Sequence, residues 1–396
     1  MSDLRPNMDG IRRFFQAPAT SFFLFGPRGV GKSSWIRDNI PGALVVDLLL
    51  PSESRRYSAH PEALLPLLAA HPEAETVVID EVQRVPDLLS VVHHAIESPG
   101  PKRRFVLTGS SARKLRVAGV DLLAGRAIKR HLHPFLAAEL GDRFHLDDAL
   151  TLGMVPLIRF AGDPAATLST YIDVYLNEEV KAEGLVREAG AFARFLTAIS
   201  FSHGNLLNSA AVSRECEVER RTVDRFVEVL EDLLLAIRVP VFTRRARREL
   251  VAHRKLYLFD AGVFRSLRPM GPLDRPEEVG GPALEGLVLQ HLRAWCDYTG
   301  KGAISYWRTR HGVEVDFIVY GEGVFLAIEV KNSLRIRSED FRSLNAFGAD
   351  YPEATLVWLY RGDRRERHGR VWCIPVEEAL RTLVPGTPPQ DAWNTR

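Results

Sequence analysis

Eight residues between a short apolar segment and a helical segment have the spacing of a phosphate-binding loop. The segment GPRGVGKS matches the pattern G-x-x-x-x-G-K-[ST] in full. Glycines let the backbone turn tightly so that its N–H groups point at phosphate oxygens, and the following helix offers its positive end to the same anion. We expect Lys32 to reach the β- and γ-phosphates and the hydroxyl of Ser33 to ligate Mg²⁺. The predicted nucleotide-binding residues are Gly26, Pro27, Arg28, Gly29, Val30, Gly31, Lys32, Ser33 and Ser34.

The segment VVIDE places two acids, Asp80 and Glu81, directly after an apolar strand. Strands often end in acids, so this pattern gains its meaning from the complete phosphate-binding loop upstream. We expect Asp80 to hold Mg²⁺ through water and Glu81 to polarise the attacking water as a general base. Glu81 therefore predicts hydrolysis of the nucleotide as well as binding.

Two further polar positions follow the next strand along the chain. Ser110 comes after the strand segment FVLTG, where it would orient the attacking water, sense the γ-phosphate, or belong to an ordinary polar turn. Arg126 follows Gly125 in LLAGR, where it would stabilise transition-state charge, within the chain or across a subunit boundary, or form a structural salt bridge. The sequence leaves these alternatives open.

The segments GPRGVGKS, VVIDEVQRVP, FVLTGSSARKL and LLAGRA occur in an order that resembles the archaeal-type ATPases of the AAA superfamily. The similarity continues through YLNEEVKAEGLVREAGAFARFL, VEVLEDLLL and KLYLFDAGVFRSL, and so covers nearly the whole chain. The resemblance implies that the nucleotide is ATP and that the protein forms a homo-oligomeric ring, such as a hexamer, with sites between subunits. It also implies Walker roles for Lys32, Ser33, Asp80 and Glu81, a sensor role for Ser110, and a sensor or finger role for Arg126.

A second group of ionisable residues lies toward the carboxyl end of the chain. Glu329 and Lys331 are two residues apart on an alternating strand, so they share a face, and Asp316 lies on a neighbouring strand that could face them. Glu285 lies on a predicted helix upstream. Two carboxylates and a backbone carbonyl suit a water-rich Mg²⁺ site, and Lys331 could orient or deprotonate an attacking water. The alternative is a hairpin with a cross-strand salt bridge.

These four positions resemble the PD-(D/E)xK nuclease superfamily, which has the fold of restriction endonucleases. The match consists of Asp316, Glu329-Val330-Lys331, and Glu285 as the preceding helical acid. The resemblance implies a metal held by Glu285, Asp316 and Glu329, with Lys331 as the catalytic lysine. Catalytic competence is a separate question from the fold.

Basic residues concentrate where a helix-turn-helix and its wing are expected. Two short helical segments, a longer one over 220–235 and an extended segment over 237–242 have the order of a winged helix. A packing module is the alternative, because acids interleave with the helix arginines. The arginines that could meet DNA are Arg220, Arg221 and Arg225 on the predicted recognition helix and Arg244, Arg245, Arg247 and Arg248 on the predicted wing.

Apolar strands that alternate with helical segments predict a parallel α/β sheet, with strands at 21–25, 44–48, 76–79 and 105–107. The predicted fold is an α/β P-loop domain of AAA type, followed by a winged-helix domain and a restriction-endonuclease-like α/β domain. The predicted boundaries are an N-terminal helix (1–17), the P-loop core (18–140), a helical lid or linker (141–190), the winged helix (191–262), the nuclease-like domain (263–384) and a flexible tail (385–396).

The composition of the 396-residue chain is that of a globular protein, with 46% hydrophobic residues, 26% charged residues and a net charge of +2. This excludes a disordered chain, and it means that any basic surface is local. Three widely spaced cysteines fit a reducing compartment. The first residues lack a signal-peptide pattern, and no apolar run approaches the ~20 residues of a membrane span. We expect a cytoplasmic protein with no membrane partner.

Three functions fit these predictions. The first is a Mg²⁺-dependent ATPase coupled to DNA, whose winged-helix and nuclease-like domains engage branched or duplex DNA. The second is a nucleotide-gated switch, in which an inactive nuclease fold recognises a protein partner. The third is an ATP-regulated, metal-dependent DNA nuclease.

Overall fold

The computed structural model describes residues 10–111, 123, 125–176, 189–244 and 253–393, and it divides into two compact units. The P-loop unit consists of Phe15–His133 and Asp232–Leu234. The carboxyl unit contains the remaining described residues. The regions predicted as winged helix and nuclease-like domain both lie within this unit, and their division into two domains stays a prediction.

The sheet of the P-loop unit has five parallel strands in the order β2-β3-β4-β1-β5. The strands are β1 (Phe22–Phe25), β2 (Leu44–Asp47), β3 (Thr76–Asp80), β4 (Arg104–Gly109) and β5 (Ile128–His131). The helices are α1 (Lys32–Asn39), α2 (Pro51–Ala59), α3 (Leu64–Ala70) and α4 (Leu88–Glu97), with 3₁₀ turns at Pro61–Ala63 and Val82–Arg84. The predicted strands are present, and β5 is an additional one.

Both faces of the central strands are covered, which explains their continuous apolar sequence. Phe22 and Phe23 are consecutive on β1 and point to opposite faces, yet both are fully buried. The parallel register pairs Phe25 with Gly109 and Asp47 with Asp80. The carboxyl ends of the strands therefore meet at one edge of the sheet, where ligands of open α/β sheets bind.

The carboxyl unit contains a mixed six-stranded sheet in the order β13-β14-β12-β11-β10-β9 and a smaller antiparallel sheet in the order β6-β8-β7. The strands are β6 (Asn205–Leu206), β7 (Ala236–Val239), β8 (Lys255–Leu258), β9 (Ala303–Arg308), β10 (Glu314–Gly321), β11 (Val324–Lys331), β12 (Thr355–Tyr360), β13 (Glu366–His368) and β14 (Val371–Pro375). Strands β9 to β11 are antiparallel, whereas β11, β12 and β14 are parallel.

The helices of this unit cover its two sheets. They are α5 (Ala137–Leu140), α6 (Leu146–Leu152), α7 (Pro156–Arg159), α8 (Pro164–Thr170), α9 (Ala189–Ser200), α10 (Ser209–Cys216), α11 (Arg220–Asp232), α12 (Ala261–Leu267), α13 (Pro276–Thr299), α14 (Arg342–Asp350), α15 (Val376–Thr382) and α16 (Pro389–Trp393). Shorter turns are 3₁₀ at Gly141–Arg143 and Ser338–Phe341 and π-helical at Tyr171–Leu176.

Helices α9, α10 and α11 precede β7 and β8, which is the order expected of a winged helix. Phe192 and Phe195 of α9 pack on Phe226 of α11, with ring centroids 5.3 and 5.1 Å apart, so the helices share an aromatic core. Assignment of this region to the winged-helix fold stays a prediction.

The predictions for the two ends of the chain are wrong where the structure describes them. Residues 10–17 form no helix, and Glu139 instead contacts this segment by pairing with Arg13 Nε at 3.1 Å and accepting the Phe14 N–H at 2.7 Å. The tail is not loose over Pro389–Trp393. The Trp393 side chain is buried, and its indole N–H donates to the Ala379 carbonyl at 3.3 Å.

Cys216, Cys296 and Cys373 are buried and carry free thiols. Among the described residues, no helix has both the length and the apolarity that a membrane crossing requires.

Candidate functional site

The loop between β1 and α1 has the backbone conformation that phosphate binding requires. Gly29 and Gly31 have φ values of +83° and +88°, in the left-handed region that residues with a Cβ rarely adopt. Gly31 is the N-cap of α1, and no side chain caps this helix end. The first N–H groups of α1 therefore face the loop, together with the positive end of the helix dipole.

Lys32 is the buried cation of this loop. Its Nζ donates to the carbonyl of Gly26 at 2.7 Å and lies 3.5 Å from that of Pro27. Carbonyl oxygens are neutral acceptors, so these contacts orient the ammonium without cancelling its charge. An anion in the loop would meet a positive charge that is already in place.

Asp80 lies at the end of β3 with both carboxylate oxygens engaged by hydroxyls. Ser33 Oγ, on the first turn of α1, donates to Oδ2 at 2.8 Å, and Thr108 Oγ1, on β4, donates to Oδ1. A hydroxyl and a carboxylate in contact form the donor pair by which P-loop proteins hold Mg²⁺. Ser33 and Asp80 therefore fit that ion.

Glu81 has a left-handed backbone, with φ 59° and ψ 46°, which is uncommon for a residue other than glycine. Its N–H donates to Thr108 Oγ1 at 2.9 Å, so the hydroxyl that contacts Asp80 also fixes the Glu81 backbone. The Gln83 side-chain amide donates to Glu81 Oε2 and, at 3.2 Å, to Ser110 Oγ. The structure thus brings Glu81 and the predicted sensor Ser110 together.

Gln83 and Thr108 are residues that sequence reasoning missed. Both are buried, and the Gln83 Oε1 has no hydrogen-bond partner among the described residues. A buried carbonyl oxygen without a donor is costly, which suggests that this position serves the site rather than the core. The signal in the sequence that could have indicated this role is the position of Gln83, two residues after Glu81.

Arg126 forms an ion pair with Glu97 at the end of α4, and this hydrogen bond lowers the pKa of the Glu97 carboxyl. The arginine side chain is about one-third exposed. The salt bridge that the sequence left as an alternative is thus present, and the finger role of Arg126 stays a prediction.

In the carboxyl unit the predicted acidic residues converge. The register pairs Phe317 with Ile328, which places Asp316 opposite Glu329 on adjacent antiparallel strands. Lys331 Nζ lies 2.7 Å from Glu329 Oε1, and the N–H of Val330 donates to Asp316 Oδ2 at 2.9 Å. Asp316 also lies where the pairing of β10 with β9 shifts register, an irregularity that re-aims side chains.

A lysine that sequence reasoning missed lies among these acids. Lys255 on β8 is 2% exposed, and its Nζ lies 3.2 Å from Glu285 Oε1 and 3.6 Å from Asp316 Oδ1. It also pairs with Glu314, and the hydroxyl of Tyr257 donates to Glu285. We call Lys255, Glu285, Glu314, Asp316, Glu329 and Lys331 the acid–lysine cluster.

The protonation behaviour of this cluster follows from burial and charge. Burial, reinforced by Asp316, raises the pKa of Glu285 to about 7 and that of Glu329 to about 8. Burial alone would lower the pKa of Lys255, but the surrounding carboxylates hold it well above its ordinary value. Lys255 is therefore charged.

The acids predicted to hold a nuclease metal do not fit one. Among the described residues, no three His, Cys, Asp or Glu side chains are placed to share an ion. The space between Glu285 and Asp316 is occupied by the Lys255 ammonium. We derive no cleavage step from these residues.

The predicted DNA-contacting arginines lie on the surface where the structure describes them. Arg220, Arg221 and Arg225 of α11 are exposed, and Arg220 Nε lies 4.0 Å from Asp224. Arg244 is exposed, with its guanidinium 5.0 Å from the centre of the Tyr320 ring. The remaining wing arginines Arg245, Arg247 and Arg248 lie outside the described residues.

Three domain models match successive parts of the chain. Residues 19–141 match an AAA domain, whereas residues 143–274 and 280–379 match two domains of unknown function, DUF8612 and DUF4143. The chain is also similar to the uncharacterized proteins Mb2031c of Mycobacterium bovis and Rv2008c of Mycobacterium tuberculosis. In each case the identity is 27% over 382 residues, which is 94% of this chain and 83% of the relative.

Among solved structures, two DnaA chains show partial similarity. One is AMPPCP-bound DnaA from Aquifex aeolicus, at 14% identity, and the other is the replication initiator DnaA bound to AMPPCP and single-stranded DNA, at 11%. Each alignment covers 54% of this chain and 82% of the other, with a TM-score of 0.26, which is too low to support an argument. Residues 19–141 thus match an AAA domain and contain the parallel sheet and glycine-rich loop of a P-loop fold.

Proposed function

We propose that the protein is a Mg²⁺-dependent ATPase whose AAA-type domain hydrolyses ATP. The observation that carries this proposal is the chain of contacts from Ser33 through Asp80 and Thr108 to Glu81. One hydroxyl, that of Thr108, joins the residues suited to hold Mg²⁺ with the residue suited to activate water. A domain that only bound nucleotide would need the residues that hold Mg²⁺ but not the residue that activates water.

The roles in this proposal follow from the contacts. The N–H groups of the loop and Lys32 bind the phosphates, and Ser33 and Asp80 would hold Mg²⁺, which when bound offsets phosphate charge. Glu81 accepts a proton from the attacking water. Thr108 fixes the backbone of Glu81, and Gln83 orients its carboxylate toward Ser110.

The variant Glu81→Gln tests this proposal. It keeps the size of the side chain but removes its basicity, so we expect ATP hydrolysis to fall by roughly 10²–10⁴-fold while a fluorescent ATP analogue still binds. Glu62→Gln is the matched control, because Glu62 is an exposed acid of the same unit and should leave hydrolysis unchanged. Equal hydrolysis by Glu81→Gln and the parent protein would overturn the assignment.

We also propose that the carboxyl unit binds DNA, supported by the exposure of Arg220, Arg221 and Arg225 on one helix. The test compares ATP hydrolysis with and without duplex and four-way-junction DNA. Stimulation that is lost when the three arginines become alanine, but kept in Arg364→Ala/Arg367→Ala, would support the proposal. Hydrolysis indifferent to DNA would favour the nucleotide-gated switch that recognises a protein partner.

A homo-oligomeric ring with Arg126 reaching a neighbouring site remains a proposal from the sequence resemblance. Light scattering with and without ATP would test assembly. In a mixture of Lys32→Ala and Arg126→Ala subunits, recovered hydrolysis would indicate that Arg126 acts across the boundary, because a subunit with intact Lys32 would then receive Arg126 from its Lys32→Ala neighbour.

A further inference from the structure

The acid–lysine cluster has its own fixed cation. Lys255 reaches it from β8, whereas the acids that contact this lysine come from α13 and β10, so three elements meet at one ammonium group. The nearest contacts are with Glu285, Glu314 and Asp316. Lys255 and Tyr257 are two residues apart on the strand and share a face, and both contact Glu285.

The ammonium of Lys255 is held in place from several sides. Strand β8 pairs with both β6 and β7, so the backbone that carries the lysine is central in its sheet. The Tyr306 ring centre lies 5.6 Å from Nζ. Lys331 differs, because its side chain is 45% exposed and can leave the cluster for solvent.

A divalent ion between Glu285 and Asp316 would need the space and the carboxylates that Lys255 already uses. Two cations in that space would repel each other strongly, because buried charges are poorly screened. Moving Lys255 away would leave a buried ammonium without its partners, which is costly.

We propose that Lys255 replaces the metal ion in this nuclease-like motif, and that the acid–lysine cluster binds no divalent cation. The motif is then an internal ion-pair network that joins β8, α13 and β10. This inference is independent of ATP hydrolysis, since it concerns only the carboxyl unit.

The experiment uses the full chain in an Asp80→Asn background, which removes the P-loop carboxylate as a source of metal binding. The probe is Mn²⁺ alone, and the readouts are thermal unfolding and the electron paramagnetic resonance signal of bound Mn²⁺. In this parent we expect no change of unfolding temperature with Mn²⁺ and no bound ion. Bound Mn²⁺ that is lost in Asp316→Asn would overturn the proposal.

The variant Lys255→Met provides the second arm, because it keeps an unbranched side chain that is one atom shorter and removes the charge. We expect its unfolding temperature to fall by about 5–10 °C and to recover when Mn²⁺ is added, since the divalent ion then replaces the missing ammonium. Lys331→Met is the control and should gain no response to Mn²⁺. A Lys255→Met protein that is as stable as the parent would contradict the proposal.

If Lys255→Met does not fold, Lys255→Arg keeps the charge and allows the same comparison. We expect Lys255→Arg to remain indifferent to Mn²⁺. Binding of Mn²⁺ to Lys255→Arg that is lost when Asp316 is also replaced would count against the proposal. It would show that a positively charged side chain at position 255 does not prevent a divalent ion from binding.

Discussion

Each unit of the molecule buries a lysine in a polar site, and the two lysines differ in their partners. Lys32 in the P-loop unit is oriented by backbone carbonyls, whereas Lys255 in the carboxyl unit is surrounded by carboxylates. Carbonyl partners leave the charge of Lys32 for an anionic ligand, while carboxylates neutralise Lys255 within the fold. The different partners therefore lead us to expect a ligand-binding role for Lys32 and a structural role for Lys255.

The largest effect should come from the lysine whose charge is left for a ligand. Lys32→Ala removes the cation that contacts the phosphates, so we expect ATP affinity to fall by at least about 100-fold. Titration of a fluorescent ATP analogue measures this. The unfolding temperature without nucleotide should change little, in contrast to Lys255→Met. A Lys32→Ala protein with parental ATP affinity would break the comparison.

A smaller effect on ATP hydrolysis should follow when Glu81 is kept but loses the hydrogen bond that orients its carboxylate. Gln83→Ala deletes the amide that orients the Glu81 carboxylate and contacts Ser110. We expect kcat for ATP hydrolysis to fall about tenfold with little change in KM, because geometry near the attacking water is lost while phosphate binding is kept. A fall in unfolding temperature with unchanged kcat would instead assign Gln83 a structural role.

The last prediction concerns the pH dependence of stability that arises from two histidines, which stay neutral in the carboxyl unit. His203 Nδ1 accepts the Leu258 N–H at 3.0 Å and its Nε2 faces the Pro282 carbonyl, while His291 Nε2 accepts the Ala137 N–H at 2.9 Å. Burial lowers the pKa of His203 to about 3 and that of His291 to about 4. Both pKa values lie below the value of ~6.5 expected in the unfolded chain.

The sign of the pH effect follows from proton counts. As pH falls below ~6.5, these histidines bind protons in the unfolded chain but not in the folded chain. The free energy of unfolding therefore decreases by about 1.4 kcal/mol per pH unit for each histidine. Denaturant unfolding of the parent and of His203→Asn between pH 4 and pH 6.5 would measure the contribution of His203. We expect a shallower slope in the variant, and identical slopes would contradict it.

The parts of the site that could be predicted from the sequence are those whose residues are close together along the chain or directly follow a strand. The loop Gly26–Ser33 and the acids Asp80 and Glu81 follow strands directly, so their placement at one edge of the sheet was foreseeable from spacing. The facing of Asp316 and Glu329 was also foreseeable, because two neighbouring antiparallel strands with alternating residues fix it.

The residues that were missed act through contacts between distant segments. Lys255 lies 30 positions before Glu285 and on a different sheet from Asp316, so no local pattern joins them. The role of Gln83 depends on the left-handed backbone of Glu81, which propensity does not indicate. The errors at the chain ends also involve contacts beyond the local pattern, since Glu139 lies 126 positions from Arg13 and Ala379 lies 14 positions from Trp393.

The three buried thiols all belong to the carboxyl unit. Burial raises the pKa of Cys216 and raises those of Cys296 and Cys373 to about 12, so the reactive thiolate is scarce while the unit stays folded. Thiol-modifying reagents will therefore react mainly when this unit opens. The native chain thus carries a chemical reporter for one unit, and ATP-dependent changes in labelling rate can be followed without introducing a probe.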